Sequence, residues 1–314
     1  PQAHDIIRTW LFSTVLRSHL EEGVLPWANT AISGWVLDPD RKKMSKSKGN
    51  VVTPLALLEE HGSDAVRYWA AKGGPGVDTA FDSSQMKVGR RLAIKLLNAS
   101  KFVLSKRDPA GPISEPLDRG MVRRLARLVT QATAALESYD YAAALRETEE
   151  FFWWFCDDYI ELVKRRRAGD GHAAASAAAA GTAALSVLLR LLAPFLPFVT
   201  EEVWSWWQTG SVHRAPWPDA ALLTDGADAT QAEPDEAAVV AASTVTSRIR
   251  QERSQQKLGF GVPVRATLVL PASHRGAWQV IEGDVLAGNN VSGADVSFDA
   301  ERFDLSIQPL APNA

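Results

Sequence analysis

Apolar residues recur at steps of three and four along most of this chain, the spacing that places them on one face of a helix. Asp5 to Leu20 predicts a first helix, with Ile6, Ile7, Trp10, Leu11, Thr14 and Val15 near helical spacing. Thr53-Pro54 has the form of an N-cap followed by proline at the first helical position, and the helix it opens should stop near Gly62. Ser63 is expected to cap a second short helix carrying Val66, Tyr68 and Trp69, which ends at Gly73-Gly74. From Asp82 the pattern lengthens. Val88, Leu92, Leu96, Ala99 and Val103 form one stripe, and Lys87, Arg91 and Lys95 form a basic row on the same helix.

Further helices are expected from about Asp118 (Val122, Leu125, Val129, Ala132, Leu136) and from Tyr141 to Arg167 (Leu145, Phe152, Cys156, Tyr159, Val163). The aromatic run Phe151–Phe155 is expected in the core. Lys164-Arg165-Arg166-Arg167 would then suit the C-terminal end of the helix dipole, or meet an RNA backbone. An alanine-rich helix follows from His172 to Leu192, and a last bundle helix carries Glu201, Glu202, Val203, Trp204 and Trp207. Residues 219–234 have the composition of a linker. Beyond it lie a helix over 235–256 bearing Arg248, Arg250 and Arg253, and a strand by alternation over Val262–Leu270.

Two short apolar segments depart from the helical period. Ala31–Leu37 predicts a strand, and Asp38-Pro39-Asp40 predicts a turn after it. The next residues, Lys43-Met44-Ser45-Lys46-Ser47-Lys48-Gly49-Asn50, place three lysines on a small-residue loop that Gly49-Asn50 turns back. Such a loop can close over a polyanion.

Composition narrows the class. With 314 residues, 46% hydrophobic and 23% charged, the chain can build two or three globular cores. No run of eighteen apolar residues occurs, so no membrane span is expected. The only cysteine, Cys156, excludes an internal disulfide and a cysteine-based zinc site, and its aromatic neighbours mark it as a buried thiol. The net charge of −3 hides a division: residues 1–107 hold 16 Lys and Arg against 10 Asp and Glu, whereas the rest is acidic. A basic first third suits a protein that presents one face to a polyanion.

The string KMSKSKGN at 43–50 resembles the second signature of the class I aminoacyl-tRNA synthetases. No other phosphate cradle of the G-x-x-x-x-G-K-[ST] or G-x-G-x-x-G form is present. The resemblance implies a mainly α chain: a remnant of a Rossmann-type α/β catalytic domain with connecting helices (1–82), an α-helical bundle that binds the anticodon (83–225), and a small α+β C-terminal domain (226–314). It implies Lys43 and Lys46 as catalytic residues, with Asp5, Lys43, Met44, Ser45, Lys46 and Ser47 at ATP and Lys46 at the departing pyrophosphate. Asp5 would hold the ribose. Trp10 would wall the amino-acid pocket, and Lys87, Arg91 and Lys95 would face tRNA phosphates.

The segment Pro1-Gln2-Ala3-His4-Asp5-Ile6-Ile7-Arg8-Thr9-Trp10 is similar to the valine branch of that family. Trp154–Glu161 and Pro194–Trp204 resemble its anticodon-binding part. The partners implied are valine tRNA, L-valine and ATP carrying Mg2+ as substrate; neither zinc nor a membrane is expected, and a cytoplasmic monomer is. Two other readings stay open: the isoleucine branch, and a non-catalytic tRNA-binding module derived from a synthetase. No His-x-Gly-His occurs, and the family's editing domain has no counterpart here. The chain begins without Met, inside motif-rich sequence, so a piece of a longer enzyme is expected, one that alone does not charge tRNA.

Overall fold

A computed structural model describes residues 2–108, 111–226 and 228–310, with the side chain of Lys46 outside the described set. Helix dominates. The chain divides into two compact units, Pro1–Asn98 with Thr130–Glu149 and Leu189–Trp217, and Ala99–Val129 with Glu150–Leu188 and Pro218–Ala314.

The first unit opens with strand β1 (Gln2–Ala3), a 3-10 turn (His4–Ile6), a π turn (Ile7–Leu11) and helix α1 (Phe12–Glu22). The expected first helix is therefore present but irregular at its start. Ile7 and Trp10 are exposed, at 42% and 55%, while Ile6, Leu11 and Val15 are half-buried. Strands β2 (Ile32–Ser33) and β3 (Val36–Leu37) follow, and β1 pairs β2 in parallel.

Helix α2 (Pro54–His61) starts with Pro54 at its first turn, but Thr53 makes no side-chain cap. Helix α3 (Ser63–Lys72) is capped by Gly62 rather than Ser63, because the chain reverses there at φ 87°, a region glycine enters without a Cβ penalty. Strand β4 (Thr79–Ala80) pairs β3 in parallel. The long helix α4 (Ser83–Leu104) buries Met86, Leu92, Leu96, Ala99 and Val103, while Val88 is half-buried. Gly89 lets α4 approach α3, since a Cβ there would stand 2.7 Å from that of Tyr68.

Helices α5 (Pro116–Glu137), α6 (Tyr141–Trp154) and α7 (Ile160–Ala168) continue the chain, with a π turn at Phe155–Tyr159 joining the last two. The expected stripe Leu145, Phe152, Cys156, Tyr159 and Val163 is buried. Helix α8 (His172–Leu192) has the length and apolarity of a membrane span, but 78% of its apolar window is buried, as in a core helix. Helix α9 (Pro197–Ser205) ends two residues before Trp207.

Within the first unit, Asp64 on α3 accepts hydrogen bonds from the Phe198 and Val199 backbone N–H groups at 3.1 and 2.8 Å, capping α9 from a different helix. Arg67 donates to the Pro194 carbonyl at 2.8 Å. The Tyr68 hydroxyl donates to both Glu149 oxygens at 2.9 and 2.8 Å, and burial followed by the Glu149 charge pushes the phenol pKa up.

In the second unit the expected linker is not structureless. It forms the short helix α10 (Ala220–Thr224), a 3-10 turn (Ala229–Gln231) and the start of α11 (Ala232–Gln255), because Asp219 and Asp228 each cap a turn through their side chains. Strand β5 (Val264–Pro271), helix α12 (Arg275–Gly288), strand β6 (Val291–Asp299) and strand β7 (Asp304–Pro309) complete an α+β segment with sheet order β6-β5-β7. β5 and β6 run parallel, so the crossover needs α12, whereas β7 runs antiparallel to β5. Val264, Ala266, Leu268 and Leu270 are buried on one face, as alternation predicts.

The basic run 164–167 is where the structure departs most from expectation. Arg166 forks onto Asp118 at 2.9 Å and onto Asp284 at 3.0 Å, while Tyr159 and Ser176 donate to the same Asp118 at 2.8 and 2.6 Å. Arg167 is buried and donates to the Val103 and Lys106 carbonyls at 2.7 Å. Two of the four cations are thus structural, because the guanidinium fork matches carboxylates and carbonyl pairs inside the unit.

Candidate functional site

The lysine loop hangs between β3 and α2, and the first unit fixes both of its ends. Gly34 precedes it at a position where a Cβ would lie 2.2 Å from the Val77 carbonyl, so only glycine lets the two backbones pass. Trp35 N–H donates to Asp78 at 2.7 Å, and Thr79 and Phe81 N–H groups donate to the Trp35 and Leu37 carbonyls at 2.8 Å.

Asp38 then closes a tight turn. Its N–H donates to the Lys42 carbonyl at 2.9 Å, its Oδ1 accepts from Lys42 N–H at 2.7 Å, and its carbonyl accepts from Arg41 N–H at 2.9 Å. Arg41 takes the left-handed backbone at φ 60° to complete the reversal, and a β-bridge joins Leu37 to Lys43. The Lys42 N–H, followed by the Asn50 amide, holds the Asp38 carboxyl below the usual carboxylate range.

Beyond the turn, Lys46–Lys48 forms one 3-10 turn, with Lys48 N–H donating to the Ser45 carbonyl at 3.1 Å. The Ser45 and Ser47 hydroxyls are 3.2 Å apart, Met44 and Ser45 are half-buried, and Ser47 is exposed. Gly49 reverses the chain at φ 67°. Asn50 ties the loop shut: its Oδ1 accepts from Ser45 N–H at 2.9 Å, and its Nδ2 donates to Asp38 Oδ2 at 2.7 Å and the Lys43 carbonyl at 3.3 Å.

Lys43 projects from this frame onto Asp5, with Nζ 2.8 Å from Oδ2. The same ammonium stands 4.2 Å from the centre of the Trp35 ring, and His4 packs on that ring at 4.4 Å. The Lys43 hydrogen bond holds the Asp5 carboxyl below its ordinary range.

The structure therefore gathers Asp5, Lys43 and the 44–47 loop in one place. Lys46 belongs to the 3-10 turn, but the orientation expected of its side chain falls outside the described residues. Trp10 stacks on Trp27 with centroids 5.5 Å apart and planes at 8°, a partner that sequence spacing did not suggest. Asp38, Asn50 and Trp35 were also missed as site residues. An Asp and an Asn bracketing a short loop are residue types that bond nearby backbone, and that was the available signal.

The basic row is carried by α4. Lys87 and Arg91 are exposed, and Lys95 is half-buried. Ile94 between them is 48% exposed, so this side of the helix is uncovered by its own unit.

The chain matches two families. Residues 2–82 match the class I tRNA synthetases for isoleucine, leucine, methionine and valine, and residues 118–268 match the anticodon-binding domain of tRNA ligases. It is 52% identical to a valine–tRNA ligase of Salinispora tropica over 95% of its own length and 37% of that protein. It is 54% identical to a valine–tRNA ligase of Thermobifida fusca over 98% of its length and 36% of that protein. The chain thus spans little more than a third of the curated relatives it matches. Among solved structures it resembles a LeuRS of Agrobacterium radiobacter K84, crystallised as a ternary complex with tRNA and LeuAMS, at 25% identity and a TM-score of 0.56, covering 70% of this chain and 28% of that one.

Proposed function

Because the chain belongs to the class I tRNA synthetases, we propose that it works as part of a valine–tRNA ligase, supplying the lysine loop that handles the pyrophosphate of ATP and the helices that hold the tRNA. In this reading residues 1–82 complete the catalytic domain, 83–225 bind the anticodon arm and 226–314 form the small α+β domain. The observation that carries it is the intact KMSKSKGN loop, set on a braced turn with Lys43 beside Asp5.

The chemistry is acyl activation followed by transfer. The valine carboxylate attacks the α-phosphorus of ATP, the bond to the bridging oxygen breaks, and pyrophosphate leaves with its Mg2+. Little covalent work falls to the protein, so positioning and charge stabilisation supply the rate. Lys43 and Lys46 meet the oxygens on which charge develops, and a lysine suits that task as a mobile point charge on a flexible stem. Met44, Ser45 and Ser47 shape the loop around the triphosphate. Asp5, once released from Lys43, accepts from a ribose hydroxyl. Trp10, stacked on Trp27, closes one side of the amino-acid pocket. The tRNA terminal hydroxyl then attacks the acyl-adenylate and expels AMP. Lys87, Arg91 and Lys95 contact tRNA phosphates, which fix position without reading sequence. A cytoplasmic monomer fits this role.

The test is equilibrium binding of ATP and of inorganic pyrophosphate to the chain. Affinity for pyrophosphate should fall about tenfold or more in Lys43→Ala and in Lys46→Ala, the scale of one charged contact. Equal binding by wild type and by the variant lacking both lysines would refute the reading.

A further inference from the structure

Asn50 spends its whole side chain on the loop that precedes it. Three hydrogen bonds run backwards along the chain, to Ser45 N–H, to the Lys43 carbonyl and to the Asp38 carboxylate, reaching five, seven and twelve residues. Asp38 is itself 6% exposed, and its second oxygen is occupied by the Lys42 N–H. One amide and one carboxylate therefore bind both ends of residues 38–50, while Ser47, Lys48 and Gly49 between them stay exposed.

A loop that must place cations on a polyphosphate faces an entropic problem. Each free residue ordered at binding costs conformational entropy, and fixing the loop beforehand removes that cost. The frame 38–50 does so selectively. It fixes the backbone at Lys43 and Ser45, the two residues that flank the loop's sulfur side chain, and leaves the tip exposed.

We propose that Asn50, acting with Asp38, is a positioning residue for the phosphate-binding lysines. It touches no phosphate; it holds the backbone from which Lys43 and the 46–48 turn reach one. This rests on the reading of the loop as a pyrophosphate site.

The chemistry of the pair gives a sharp test. Asn50 donates and Asp38 accepts, so reversing one partner breaks the bond and reversing both restores it. In Asn50→Asp two carboxylates face each other. In Asp38→Asn an amide must serve both a donor from the Lys42 backbone and a donor from Asn50, which one oxygen does poorly. In the double variant the amide now at position 38 donates to the carboxylate now at position 50, which still accepts from Ser45 N–H but can no longer donate to the Lys43 carbonyl. Charge alone predicts something different: Asp38→Asn removes a negative charge and should tighten anion binding.

The experiment measures inorganic pyrophosphate binding to the chain and its three variants, with Ser45 amide exchange followed by mass spectrometry. Both single variants should bind at least fivefold more weakly and exchange faster, and the double variant should bind at least about twofold better than either single variant, short of wild type by the lost bond to the Lys43 carbonyl. Unchanged or tighter binding by Asp38→Asn, or a double variant no better than Asn50→Asp, would overturn the proposal. If wild type binds no better than the variant lacking Lys43 and Lys46, the pyrophosphate reading itself falls and the proposal falls with it. Unchanged melting of the four proteins separates these outcomes from loss of fold.

Discussion

The Lys43 ammonium lies 2.8 Å from the Asp5 carboxylate, so a cation expected at the triphosphate and an anion expected at the ribose neutralise each other across 38 residues of chain. In the proposed site, ATP would exchange these partners for its own groups. Asp5→Asn should therefore strengthen pyrophosphate binding, because pyrophosphate uses the lysine alone, and weaken adenosine binding, because the ribose exchanges a charged carboxylate acceptor for a weaker neutral amide. Titration calorimetry with both ligands checks the opposite signs.

The same contact gives a pH dependence. The Asp5 pKa is lowered in the folded chain, so the contact contributes above the ordinary carboxylate range and is lost as pH falls through the lowered value. Fluorescence of the aromatic cluster around Trp35, read in a His4→Gln background so that the packed imidazole does not contribute, should change only well into acid. The acid change should be absent from Asp5→Asn.

Arg166 should dominate the stability of the second unit. Asp118 is fully buried beneath it, and removing the cation leaves a charge without a counterion. Arg166→Ala should cost about 3–5 kcal/mol, and Arg166→Lys should recover only part, since an ammonium cannot fork onto Asp118 and Asp284 together. Urea unfolding followed by far-UV circular dichroism measures both.

Gly288 lets α12 reach α7 within the same unit. A Cβ there would lie 2.8 Å from the Glu161 carbonyl oxygen and 2.8 Å from the Leu162 Cα, both backbone atoms that cannot rotate away. Gly288→Ala should destabilise by about 1–3 kcal/mol, as overpacking does, despite alanine's better helix propensity. The reverse result in thermal melting would mean that α12 shifts freely.

Much of the fold was legible because burial and period agree on the long helices. Leu92, Leu96, Ala99 and Val103 lie on one buried stripe, as do Leu145, Phe152, Cys156 and Tyr159. The failures have two causes: polar side chains whose partners lie far along the chain, and polar side chains whose local bonds form only once the backbone has turned. Arg166 and Arg167 read as dipole-capping or RNA-facing cations because nothing local announces Asp118, Asp284 or the Val103 carbonyl. The stretch 219–234 read as a linker because Asp219 and Asp228 act as caps only once the backbone has turned. In the site, the lysine motif was visible as a string, whereas Asn50 looked like a turn residue. Its three bonds appear only when the loop is folded.

The basic row on α4 offers a quantitative check. If Lys87 and Arg91 each contact a phosphate, the double alanine variant should weaken tRNA binding and reduce the slope of log affinity against log salt by about one to two. The loss should be similar for every tRNA, since phosphate contacts carry no base information.

The most direct measurement compares binding of this chain to valine tRNA, isoleucine tRNA and a valine tRNA with an altered anticodon at fixed salt. A valine–tRNA ligase anticodon domain should prefer the valine tRNA and lose that preference when the anticodon changes. Preference for the isoleucine tRNA, or equal and strongly salt-sensitive binding to all three, would contradict that reading.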